Sequence, residues 1–98
     1  DNLGKVVIGD NVCLSQECLL LSGNHDYRKS TFDLIVKDII LEEGVWIGAR
    51  AVVCGGVICR DHSVLSLGSV ATQNLEPFSI YAGNPAIKIR SRKMDEIL

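Results

Sequence analysis

Cut every six residues, residues 35–71 read IVKDII, LEEGVW, IGARAV, VCGGVI, CRDHSV, LSLGSV and A. The residue opening each segment is apolar: Ile35, Leu41, Ile47, Val53, Cys59, Leu65 and Ala71. Four residues on, the places are small or apolar: Ile39, Val45, Ala51, Val57, Ser63, Ser69 and Leu75. Glycine or a polar residue often sits between the two registers, as in Glu42-Glu43-Gly44, Gly48, Gly55-Gly56 and Gly68. An earlier run, Ile8, Leu14 and Leu20, keeps the same step in another phase. The two runs disagree by half a repeat, and an insertion spanning roughly 26–34 restores the phase.

A period of six is neither a helix nor one long strand. Strand alternation returns an inward residue at every second position. Two inward places in six, with turn formers between them, predict short strands broken by regular bends. Gly, Asn and Asp tolerate the positive φ that such bends need. Three bends close a triangle, so about 18 residues make one coil and Ile47 stacks over Leu65, Leu41 over Cys59. Coils at strand spacing of about 4.8 Å predict a prism of about five coils, roughly 25 Å tall. The fold class is all-β, a parallel β-helix filled by a ladder of aliphatic side chains. A helix is expected only at Ser91–Leu98, where Met94, Ile97 and Leu98 share a face.

Composition narrows the function. The 98 residues, 47% hydrophobic and 22% charged, suit one globular domain spanning 1–98. A net charge of −2 argues against a nucleic-acid or membrane-surface binder. No apolar run approaches the ~18 residues of a membrane span. No initiator Met opens the chain, and it reads as part of a longer protein. Cys13, Cys18, Cys54 and Cys59 show neither CxxC nor zinc-ligand spacing, and read as reduced thiols of a cytoplasmic protein.

Several motifs resemble the hexapeptide-repeat acyltransferases: Ile8-Gly9-Asp10-Asn11-Val12, Asn24-His25-Asp26-Tyr27, Trp46-Ile47-Gly48-Ala49-Arg50-Ala51, Gly68-Ser69-Val70 and Ala82-Gly83-Asn84-Pro85-Ala86. A His before a loop, then WIGA, then GNPA, is similar to the maltose/galactoside O-acetyltransferase branch. The His-Asp-Tyr-Arg loop is most similar to colanic acid biosynthesis acetyltransferases. The resemblance implies a left-handed β-helix, a homotrimer with a CoA site between two prisms, and acetyl-CoA as co-substrate without a metal. It also implies that the chain is the C-terminal part of a longer acetyltransferase.

His25 opens the insertion, and an imidazole titrating near pH 6.5 can accept a hydroxyl proton. In the family the His at this place is the general base. Asn24, Asp26 and Tyr27 flank it as candidate acceptor contacts. Trp46 alternates outward from Ile47 and is expected near the cofactor channel. Ala49 and Leu67 align with backbone contacts to the pantetheine arm, although Leu67 is bulkier than the usual Ala or Gly. Thr72 and Gln73 align with a nucleotide-end pair whose second member is ordinarily Lys or Arg. Lys88, Arg90, Arg92 and Lys93 form a basic cluster, and with Ile87 and Ile89 inward, Lys88 and Arg90 should share a face as a phosphate clamp. His62, in the turn Arg60-Asp61-His62, reads as a solvated residue. Two distant His cannot build the three-His zinc site of γ-class carbonic anhydrases.

With His25 at the loop, the resemblance implies acetyl-CoA-dependent O-acetylation of a sugar or glycan intermediate. Amino-sugar N-acetylation and a non-catalytic trimerisation module are the alternatives.

Overall fold

The computed structural model describes residues 4–95. Its first coil is β1 (Val6–Ile8), β2 (Cys13–Leu14) and β3 (Leu19–Leu21). The chain then leaves the prism as a hairpin, β4 (Gly23–His25) and β5 (Leu34–Val36). The second coil is β6 (Ile39–Leu41), β7 (Trp46–Ile47) and β8 (Val52–Cys54); the third is β9 (Ile58–Cys59), β10 (Val64–Leu65) and β11 (Val70–Ala71). β12 (Ser79–Gly83) and β13 (Ala86–Ser91) follow at the C-terminal end. Fewer coils form than the repeat predicts, because the hairpin and the β12-β13 pair take up the rest of the described chain.

Strands one coil apart pair in parallel, giving three sheets: β1-β6-β9, β2-β7-β10-β12 and β3-β8-β11. β13 adds antiparallel to β12, and β4-β5 stand apart as an antiparallel pair. Ile47 pairs with Leu65 and Leu41 with Cys59, each one coil on, as the repeat predicts. Both inward registers are buried, from Ile39 and Leu41 through Val45, Ile47, Ala51 and Val53 to Leu65, Ala71 and Leu75. Apolar burial at roughly 25 cal/mol per Å² is the main force closing such a prism. Cys59 belongs to this ladder, and burial, with the Glu42 charge adding, pushes its thiol up to about 12. It is an inert packing atom.

The insertion is longer than the sequence suggests. One coil on from Leu14 would be Phe32, yet Leu14 pairs with Ile47, and Ile8 likewise skips ahead to Leu41. Ile35 is therefore not a prism anchor; it pairs with Asn24 inside the hairpin. The excursion needs its own strands because backbone groups leaving the coils must still be paired.

The bends repeat as columns of left-handed residues. Asn11, Gly44, His62 and Phe78 (φ 57°, 69°, 57° and 52°) follow one another along one corner, and Glu17, Arg50 and Gly68 (59°, 57° and 68°) along another. His62 is thus not simply solvated. Its ring packs on Phe78, centroids 4.8 Å apart, and lies where a Cβ on Gly44 would stand. Glycine at position 44 answers both demands, the positive φ and the missing Cβ.

No helix forms at the described part of the C-terminus. Ser91 ends β13, and the Arg92 N–H bonds Phe78 O at 2.7 Å, extending sheet pairing instead of turning into a helix. Ile97 and Leu98 lie outside the described residues. Among the described residues no helix is long and apolar enough to cross a membrane.

Candidate active site

The outer face of the second sheet forms a groove of about 430 Å³. Parallel pairing places Trp46, Val64 and Ile80 in one outward row, and antiparallel pairing adds Arg90 at its end. Two corner columns complete the lining: Ser15, Gly48 and Ser66, then Gln16, Ala49 and Leu67. Gly48 is a close-approach position, because a Cβ there would strike the backbone of Leu67. Trp46 is half-exposed, and its Nε1 donates to Ser15 Oγ at 2.9 Å, fixing the indole as a wall. Leu67 is largely exposed beside it.

Trp46, Ala49, Leu67 and Arg90 are thereby brought together. Thr72 and Gln73 are exposed in the turn after β11 and do not line the groove. The basic cluster is split. Ile80 faces Arg90 and Tyr81 faces Lys88, so a bulge at Ile89 intervenes. A bulge resets alternation, sending Arg90 to the groove and Lys88 to the opposite side, where its Nζ meets Glu76 at 3.4 Å. For the same reason Ile87 and Ile89 are not inward; they are 64% and 45% exposed. Arg92 Nη1 donates to Gly44 O (2.9 Å) and His62 O (3.2 Å), tying the last strand to a corner. The guanidinium groups of Arg28, Arg50, Arg60 and Arg92 all have partners, whereas that of Arg90 has none among the described residues.

His25 lies on the hairpin and not in the groove lining of its own chain. Its Nδ1 stands 2.9 Å from Phe32 O. A carbonyl only accepts, so Nδ1 carries the hydrogen, and in the neutral ring Nε2 presents a lone pair. Cross-strand pairing puts His25 with Leu34, while Asn24 pairs with Ile35 on the other face. Asn24 instead accepts the His25 N–H and lines a second hollow of about 140 Å³ with Ser22, Lys37 and Cys54. Tyr27 is 86% exposed at the hairpin tip. Asp26 is buried, its carboxylate held by Arg28. That contact, with the Arg28 N–H, keeps the carboxyl below the usual carboxylate range.

Ser15, Gln16 and Ser66 are lining residues that the hexad pattern does not single out. Projecting Gly48 and Ala49 one coil either way along the strand register would have found them.

A ladder of short parallel strands wound on an apolar core, with a groove down one outer face, defines a parallel β-helix of the hexapeptide-repeat class. The chain belongs to the hexapeptide-repeat acyltransferase family, and its β-helix is left-handed. It is 31% identical over 90 residues to "Putative colanic acid biosynthesis acetyltransferase WcaF" of Escherichia coli strain K12, covering 92% of this chain and 50% of that protein. A solved galactoside acetyltransferase in complex with coenzyme A superposes with a TM-score of 0.84 at 30% identity, over 90% of this chain and 46% of the other. AntD, an N-acyltransferase from Bacillus cereus solved with dTDP and coenzyme A, shares the fold alone, with a TM-score of 0.83 at 20% identity over 90% and 53% of the two chains. No family model matches the chain. The chain spans about half the length of the curated relatives it matches.

Proposed function

We propose that this chain is the β-helix portion of an acetyl-CoA-dependent O-acetyltransferase acting on a sugar or glycan hydroxyl. The observation that carries this reading is the groove uniting Trp46, Ala49 and Leu67 with Arg90, whose guanidinium has no partner among the described residues. Small floor residues and apolar walls suit a pantetheine arm, and a free guanidinium at one end suits a phosphate.

In the proposed reaction His25 Nε2 takes the proton of the acceptor hydroxyl as that oxygen attacks the thioester carbonyl. Backbone N–H groups of the groove floor stabilise the oxyanion. His25 then returns the proton to the departing thiol. No covalent acyl-enzyme is needed. Because His25 does not line its own groove, a homotrimer is proposed in which the base of one chain meets the groove of the next. Apolar outward rows support this packing: Val7, Ile40 and Ile58 on one sheet, Leu19, Val52 and Val70 on another. The four free thiols are in keeping with a reducing, cytoplasmic compartment.

Turnover of acetyl-CoA, read as free thiol against a panel of sugars, tests the proposal in the chain and its longer parent. An alkali-labile acetyl product supports O-transfer. An alkali-stable product assigns N-acetylation instead, and a trimer without turnover in either chain leaves only an assembly module.

A further inference from the structure

Asp26 is 7% exposed although it sits in a surface loop. Arg28 Nε donates to its Oδ1 at 2.9 Å and Nη2 to its Oδ2 at 3.0 Å. The Arg28 backbone N–H adds a third donor to Oδ1 at 3.1 Å. Both oxygens are therefore already held, which leaves Asp26 poorly suited to greet an acceptor. Its backbone starts a relay instead. The Lys29 N–H bonds Asp26 O at 3.1 Å, and the Phe32 N–H bonds Lys29 O at 3.0 Å. The Asp26 N–H closes the loop on Asp33 O at 2.7 Å. At the end of this relay Phe32 sits at φ 51°, a left-handed conformation that is unfavourable for a non-glycine residue. Such strain persists only where the surroundings over-determine it. Here it turns the Phe32 carbonyl toward His25 Nδ1.

We infer that Asp26 is a positioning residue: gripped by Arg28, it folds the 26–33 loop so that the Phe32 carbonyl selects the Nδ1–H tautomer of His25. Either ring nitrogen of a neutral imidazole can carry the proton, and only a fixed partner makes the choice. With the choice made, Nε2 is always the accepting atom. The inference rests on His25 being the base, but its geometry can be read without turnover.

Nitrogen-15 NMR of the His25 ring in the full chain, recorded with the ring neutral, reads the tautomer directly. Wild type should show protonated Nδ1. Asp26→Asn should lose that preference, with kcat lower by about 10–100-fold and acceptor KM nearly unchanged, the mark of misplacement rather than lost binding. Should Asp26→Asn fail to fold, Phe32 supplies a second pair. Phe32→Gly accepts the positive φ and should keep the tautomer; Phe32→Pro cannot adopt it and should lose it. An unchanged tautomer in both Asp26→Asn and Phe32→Pro overturns the positioning role, whatever turnover does. A shifted tautomer with full turnover upholds the positioning role and removes His25 as the base. A raised acceptor KM with the tautomer intact makes Asp26 a binding residue and also overturns the inference.

Discussion

The coils between Ile39 and Ala71 and the hairpin between Gly23 and Val36 are held together by different physics. In the coils, very short strands pair with partners one coil away, and their inward side chains are buried. In the hairpin, strands pair antiparallel with near neighbours, and Leu34 and Val36 remain about half exposed. Its loop is organised by polar contacts instead: Arg28 on Asp26, and Lys29 and Thr31 on Asp33. Apolar burial fixes the strands that carry the groove, whereas directional hydrogen bonds fix the proposed base. Substitutions should therefore separate activity from stability according to region.

The largest separation is expected at His25. His25→Ala should lower turnover by roughly 10²–10⁴-fold. Its unfolding midpoint in urea should match wild type, because the ring packs no core. A shifted midpoint would mean that the hairpin supports the prism and would break the contrast. Leu65→Ala should do the reverse. Truncating a fully buried leucine costs about 2–5 kcal/mol. The same change at half-exposed Leu34 should stay within about 0.5 kcal/mol.

The same contrast explains what was legible in the sequence. Burial repeats in space, so it repeats along the chain, and Leu41, Ile47, Val53, Cys59 and Leu65 announce the coils by their spacing alone. The hairpin has no partner one coil away, so periodicity marks only that phase is broken. Ile35 fell into step by chance, which made the expected insertion too short. His25 was found through resemblance, and the Phe32 carbonyl facing it was not, because no side-chain pattern encodes a left-handed φ at phenylalanine. Alternation likewise failed at Lys88 and Arg90, where one bulge reverses the faces.

Acid should dissolve the hairpin's polar contacts before the coils open. Arg28 lowers the Asp26 carboxyl, and Thr31 and then Lys29 lower that of Asp33. Groups lowered in the folded state contribute order that is complete above the unfolded value, about 3.9, and lost as pH falls through the folded values. Amide exchange should therefore accelerate at Lys29 and Phe32 on acidification while Val53 and Leu65 stay protected. Simultaneous loss would show one cooperative unit. Arg92→Ala probes a polar tie inside the prism itself. Hydrogen bonds to a charged donor are worth about 1.5–3 kcal/mol, and partial exposure of Arg92 puts the expected loss near the lower figure. An unchanged urea midpoint would show that β13 is held by its ladder alone.

A last contrast tests the groove, and it turns on two cations one bulge apart. Arg90 follows Val64 and Ile80 in the outward row and has no carboxylate partner among the described residues. Lys88 faces the other way, toward Glu76. If Arg90 meets a CoA phosphate at this partly exposed place, the contact is worth on the order of 1–2 kcal/mol. Arg90→Ala should then raise the acetyl-CoA KM by roughly five- to thirty-fold with kcat little changed, since the interaction is equal in ground and transition states. The rise should shrink with added salt, which screens an exposed pair. Lys88→Ala should move KM by less than about twofold, because a surface ion pair contributes little and points away from the groove. Equal effects at both positions would mean that the bulge does not divide the cluster. No effect at Arg90 would leave the groove without its phosphate anchor, and the nucleotide would have to be held by the neighbouring chain.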